Sequence, residues 1–123
     1  MTEDIKKILG KDPDGLLTYE YIANHIGSID DILDDLVENM IEVDLSGQFT
    51  VSAARYLFAI DAEKYHNAVS RLVAAAIEKD RERRYIGDLL TLWGEDYQEH
   101  VAELNANDDN FRRIYKRLYP TGI

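Results

Sequence analysis

Between Ser28 and Ala53 the apolar residues change their spacing, and that change limits the architectures open to the chain. In SIDDILDDLVENM, residues 28–40, Ile29, Ile32, Leu33, Leu36, Val37 and Met40 recur at the i, i+3, i+4, i+7 interval of one helical stripe, with Ser28 placed as its N-cap. From Ile41 the interval drops to two: Ile41, Val43 and Leu45, then Ser46 and Gly47, then Phe49, Val51 and Ala53. Alternation on both sides of a Ser-Gly pair predicts a β-hairpin over 41–52. An odd-length loop, Ser46–Gln48, is needed to set Leu45 opposite Phe49 and Val43 opposite Val51 on one face, because a slip of one residue inverts the buried side.

The rest of the chain reads as helix. Thr2 caps a first segment carrying Ile5, Ile8 and Leu9 and closing at Gly10; KDPDG, 11–15, is a turn; Thr18 is placed to cap a second segment with Tyr19, Ile22, Ala23 and Ile26, ended by Gly27. Beyond the hairpin, SAARYLFAID is nearly continuous apolar sequence, and Tyr65, Ala68, Val69, Leu72, Val73, Ala76 and Ile77 keep the 3.6 period. Whether 53–79 is one helix or two is open. EKDRERR, 78–84, would put Asp80 and Arg83 on the core side of a straight helix and so predicts a solvent-exposed bend. Ile86, Leu89, Leu90 and Trp93 resume the stripe and Tyr97, Val101 and Leu104 extend it; NANDDN, 105–110, is a loop; FRRIYKRLY is a last helix ending before Pro120. No internal repeat is found. The expected fold is mainly α with one hairpin, a single domain over 1–123 with an N-terminal half, 1–52, and a helical half, 53–123.

Helix, helix, glycine turn, helix and hairpin follow one another in the order of a winged helix. The stretch GLLTYEYIANHIGSIDDILDDLVENMIEVDLSGQFTVS, 15–52, resembles that family in its T-x-x-x-[IL]-A opening, its Gly-Ser turn and the glycine in its wing. The resemblance implies that helix 28–40 enters a DNA major groove. Charge opposes this use. Affinity for duplex comes largely from Lys and Arg on phosphates, and base edges are read mainly by Arg, Lys, Asn and Gln. The exposed side of 28–40 instead offers Asp30, Asp31, Asp34, Asp35 and Glu38, and LSGQ carries no cation.

The 123 residues carry a net charge of -10, unevenly distributed: residues 1–52 hold twelve acids against three lysines, and 53–123 hold twelve against eleven basic residues. A hydrophobic share of 46% fits a globular chain with a core of its own. There is no cysteine, which removes disulfides, thiolate metal sites and cysteine nucleophiles together. MTEDIKKILG has acids where a signal peptide is basic, and no run approaches the length of a membrane span, so the expected location is the cytoplasm and no membrane is expected as a partner.

Chemistry finds little foothold in these residues. Glu63 and His66 form one E-x-x-H unit, but a di-iron bundle needs a second, and around His100 there are only Asp96 and Glu103. Aligned as a calcium loop with Gly15 sixth, the chain puts Asp12 and Asp14 third and fifth but Gly10 first and Tyr21 last, so the outer ligands are missing. No nucleophile elbow or phosphate loop occurs, and neither enzyme activity nor a metal or cofactor is expected. The last helix sets Phe111, Ile114, Tyr115 and Leu118 on one stripe and Arg112, Arg113, Lys116 and Arg117 on another. These four cations and the five carboxylates of 28–40 are the candidate contact residues, expected to meet within one chain or between two. The function expected is a non-catalytic protein-interaction or assembly module that presents its acidic helix to a basic protein, in the manner of a nucleic-acid mimic, or to a second copy of itself. The alternative is a transcriptional regulator touching DNA through 79–84 and 112–117.

Overall fold

The computed structural model describes residues 1–120. Its helices are α1 (Glu3–Gly10), α2 (Leu16–Asn24), α3 (Leu33–Val43, preceded by a 3₁₀ turn at Asp30–Ile32), α4 (Gln48–Asp61), α5 (His66–Lys79), α6 (Val101–Asn107) and α7 (Asp109–Leu118). Two 3₁₀ stretches, Ile86–Trp93 and Tyr97–His100, lie between α5 and α6. The helices fall into consecutive pairs laid side by side. α2, α4 and the 86–93 stretch make one row; α3, α5 and α7 make the other; each member packs on its pair mate and on the next member of its row. α1 covers α3 at one end, where the Asn39 side-chain amide donates to the Leu9 carbonyl.

The hairpin expected over 41–52 is absent, and among the described residues there is no strand. Ile41 and Val43 close α3, and Phe49, Val51 and Ala53 open α4. Their apparent period of two is the last turn of one helix and the first turn of the next, read across a tight junction. Leu45, expected on a buried face, is 81% exposed, and Gly47 at φ +91 stands as the N-cap of α4, not in the loop of a wing. The winged-helix arrangement falls with its hairpin; the mainly α character stands.

What replaces the hairpin is a turn that occurs three times. Asp12, Asp44 and Asp80 are buried, and each follows one helix while its carboxylate gathers the amides that open the next. Asp12 accepts from the amides of Asp14, Gly15 and Thr18 and from the Thr18 hydroxyl, at 3.3, 3.0, 2.8 and 2.8 Å. Asp44 accepts from the amides of Ser46, Gly47 and Thr50 and the Thr50 hydroxyl, at 3.1, 2.9, 2.8 and 2.8 Å. Asp80 accepts from the amides of Arg84, Tyr85 and Ile86 at 2.9, 2.7 and 2.9 Å. Each carboxylate thus satisfies donors that a helix start leaves without an internal partner. Three positions on from each aspartate the backbone turns left-handed, at Gly15 (φ 103), Gly47 (φ 91) and Arg83 (φ 59). The sequence pattern is D-x-x-G-x-x-T at 12–18 and again at 44–50, with its third instance, 80–86, holding neither glycine nor threonine. The chain therefore has an internal repeat, contrary to the reading from sequence, and Thr18 belongs inside α2 as a donor to Asp12, with Gly15 at the N-cap position.

The stripes of α3 and α5 are largely buried as expected, with Ile32 and Leu33 half-buried, whereas Ile8, expected on the apolar face of α1, is 62% exposed. Leu36, Val37, Met40, Leu57, Leu72, Val73, Ala76 and Ile77 form one core with Ile22, Ile29, Ile86, Leu89, Phe111 and Ile114. Residues 53–79 are two helices, broken around Ala62–Tyr65. Segment 105–110, expected as a loop, is mostly helical: α6 runs to Asn107 and Asp108 caps α7 by accepting from the Phe111 amide.

Candidate interaction surface

The outward side of the α3–α5–α7 row carries both sets of charges singled out in the sequence. The helices run in parallel register, as cross-contacts show: Tyr65 donates to Asp30, Arg71 meets Asp34 and Glu38, and Lys79 reaches the Ile41 carbonyl. On the other flank of α5, Glu78 lies 3.8 Å from Arg113, and Arg117 donates to the Ile77 carbonyl.

All five carboxylates of the acidic set are exposed. Asp30 is 2.8 Å from Lys64 and accepts from Tyr65; the Lys64 ammonium holds the Asp30 carboxyl below its usual value, and Asp30 in turn raises Lys64. Asp35 is 3.1 Å from the Met1 amino group. Arg71 serves two acids at once, Glu38 directly and Asp34 at 3.9 Å, and the Asp34 side chain stays 96% exposed. Asp31 has no ion pair among the described residues, and Glu42, exposed on the same helix, has none either. Three cations thus answer five carboxylates. The wall is weakened by its own neighbours without being erased, since ion pairs this exposed are worth little.

Of the basic set, Arg112 pairs with Asp109 and donates to the Asn105 carbonyl, while Arg113 and Arg117 lean on α5. Lys116 is exposed with no ion pair among the described residues. Helix α5 stands between α3 and α7, so the two sets do not meet within one chain as one form of the expectation had it. Segments 79–84 and 112–117, far apart in sequence, are brought together: the Arg83 guanidinium donates to the Arg117 carbonyl at 3.3 Å.

Two further features were not legible beforehand. A cleft of about 190 Å³ opens between α4, α5 and the start of α7, lined by Phe58, Val69 and Trp93 with His66, Ser70 and Asp108 at polar positions. Its wall is fixed by the Trp93 indole N–H, which donates to Asp108 at 2.7 Å, and by the edge-on packing of Trp93 against Phe111. Asp96, Glu99 and His100 bring three ligand-type atoms within 4.8 Å of one another, all of them exposed and contributed by one turn. At the end of α2, His25 Nδ1 lies 2.9 Å from the Tyr21 carbonyl and the ring stacks on Tyr21.

Among the described residues no helix is long and apolar enough to cross a membrane. Comparison of the chain with protein-family models, with curated proteins and with solved structures found no match.

Proposed function

We propose that the protein is a non-catalytic interaction module whose contact surface is the outward side of α3, offered to a basic protein face. One observation carries the reading: Asp30, Asp31, Asp34, Asp35 and Glu38 all stay in solvent on α3 and the 3₁₀ turn that leads into it, with fewer cations than carboxylates around them. Stacked helix pairs support such a role, because the pairs supply a rigid row and leave the outer side chains free to carry specificity. A carboxylate wall repels polyanions and draws in basic partners, mostly through the rate and orientation of encounter. The test is binding of a lysine- and arginine-rich helical peptide, followed by fluorescence anisotropy, to the wild type and to a variant with Asp31, Asp34, Asp35 and Glu38 changed to Asn or Gln. Loss of binding in the variant by about tenfold or more is expected; equal binding by both proteins overturns the reading.

The alternative of DNA contact is favoured by one fact, the junction of segments 79–84 and 112–117 at Arg83 and Arg117. Glu78 and Glu82 stand among those cations, Glu82 paired with Arg84 at 2.7 Å, which lowers the net positive charge there. Affinity for duplex DNA that falls steeply with salt, and falls further when Arg81 and Lys116 are replaced by glutamine, would carry this second reading instead.

A further inference from the structure

We infer that the α3–α5–α7 side is self-complementary and that its occupant is a second copy of this chain, related by a two-fold axis running along α5. The inference rests on the interaction reading above and names the partner. α5 lies between an acidic helix and a basic one, and both of these run parallel to it. Rotation by half a turn about an axis along α5 therefore lays the α3 of each copy on the α7 of the other. Any two-fold axis across the helices would instead set acid on acid and base on base. The first arrangement matches charge twice, closes after two copies, and leaves no sticky edge for further growth.

Register supports the pairing. Lys79 ties the end of α3 to α5 through the Ile41 carbonyl, and Arg117 ties the end of α7 to α5 through the Ile77 carbonyl, so the C-terminal turns of α3 and α7 stand at nearly the same level on α5. That level holds Glu38 and Glu42 on one side and Arg112 and Lys116 on the other, all exposed. Between them the outer stripe of α5 has the half-buried Ala74 and Ala75, flanked by Arg71 and Glu78, which fold away toward α3 and α7. A midline this short in side chain lets two α5 helices approach closely enough for the flanking charges to meet.

Sedimentation velocity and static light scattering on the full chain decide the matter. The wild type is expected to move from 14.1 kDa toward twice that mass at low salt, and to dissociate at about 0.5 M salt, where the Debye length is only a few ångströms. Glu38→Lys with Glu42→Lys, and separately Arg112→Glu with Lys116→Glu, are each expected to weaken self-association by about tenfold or more. An equimolar mixture of the two variants is expected to restore it, because each then presents to the other the charge its own partner site lacks. Circular dichroism of each variant shows whether it is folded, and glutamine in place of the reversed residues serves where it is not. A wild type that stays monomeric at low salt overturns the dimer while leaving the peptide-binding test of the acidic wall standing on its own. A dimer indifferent to both reversals, or a mixture that fails to associate, overturns the pairing of α3 with α7.

Discussion

Gly15 lies directly against Asp44: a Cβ added at Gly15 would stand 3.0 Å from the Asp44 Cβ, 3.1 Å from the Met40 sulfur and 3.2 Å from the Phe49 Cβ. The same relation returns one turn later, where a Cβ at Gly47 would meet the Asp80 Cβ at 3.4 Å. The glycine of each turn is thus the seat on which the aspartate of the next turn rests. This contact sets how closely successive helix pairs stack.

Alanine at Gly15 is expected to destabilise the protein more than alanine at Gly47. Both suffer the left-handed φ, worth about 1–2 kcal/mol to a residue with a Cβ, and Gly15 adds three close contacts at which Asp44, Met40 and Phe49 must each give by a few tenths of an ångström, worth roughly another 1 kcal/mol. Urea midpoints of the two variants give the order directly; equal losses would mean that the turns do not touch as described.

Removing the Asp44 carboxylate strips the start of α4 of its acceptor and leaves buried amides without partners. Asp44→Ala is expected to lose about 2–4 kcal/mol, and Asp12→Ala a similar amount. Thr50→Val removes only one donor and is expected to lose about 1 kcal/mol. Chemical denaturation of the three variants checks the ranking.

Arg83 holds the conformation that glycine holds in the first two turns. Arg83→Gly is therefore expected to stabilise the protein by about 0.5–1 kcal/mol, even though it gives up the exposed bond to the Arg117 carbonyl. A loss of stability in this variant would show that this bond outweighs the backbone strain.

Acid should weaken the fold through Asp12. Burial opposes its ionisation, but the hydrogen bonds from Thr18, Gly15 and Asp14 together hold its carboxyl below the ordinary carboxylate value. A carboxyl that is more acidic folded than unfolded stabilises the fold above its unfolded pKa, about 3.9, and that contribution is lost as pH falls through the lower folded value. Stability measured by urea titration should therefore drop below about pH 4. Asp12→Asn should be less stable at neutral pH and show a shallower acid limb.

Trp93 is the one tryptophan of the chain, and Asp108 binds its indole N–H while capping α7. Asp108→Ala is expected to lose about 1–2 kcal/mol and to shift the tryptophan emission, while Asp109→Ala leaves the spectrum unchanged.

The helical stripes were legible wherever they were long. Tyr65, Ala68, Val69, Leu72, Val73, Ala76 and Ile77 are buried as their spacing foretold, and Leu36, Val37 and Met40 line the inner side of α3, with Ile29 buried just ahead of it. The error at 41–52 has a physical source: two helix ends separated by a buried aspartate and a left-handed glycine put apolar residues at alternate positions, which local periodicity cannot tell from a hairpin. The decisive signal was present at longer range, in the recurrence of D-x-x-G-x-x-T at Asp12 and Asp44, and was obscured because the third instance keeps only the aspartate. Of the charged faces, the exposure of the five carboxylates followed from helix geometry. The counter-charges from Lys64 and Arg71 did not, because they come from the turn before α5 and from α5 itself, whose position depends on how the pairs stack.

The stacking of each pair on its immediate neighbours has a kinetic side. Contacts made within a pair or with the next one span short stretches of chain, so little loop entropy is lost before the first of them forms, and a chain built this way folds fast for its length. Opening should begin at the 86–107 end, where 3₁₀ turns and a seven-residue helix replace a full pair, and hydrogen exchange should fade from there toward the slowly exchanging amides of α4 and α5.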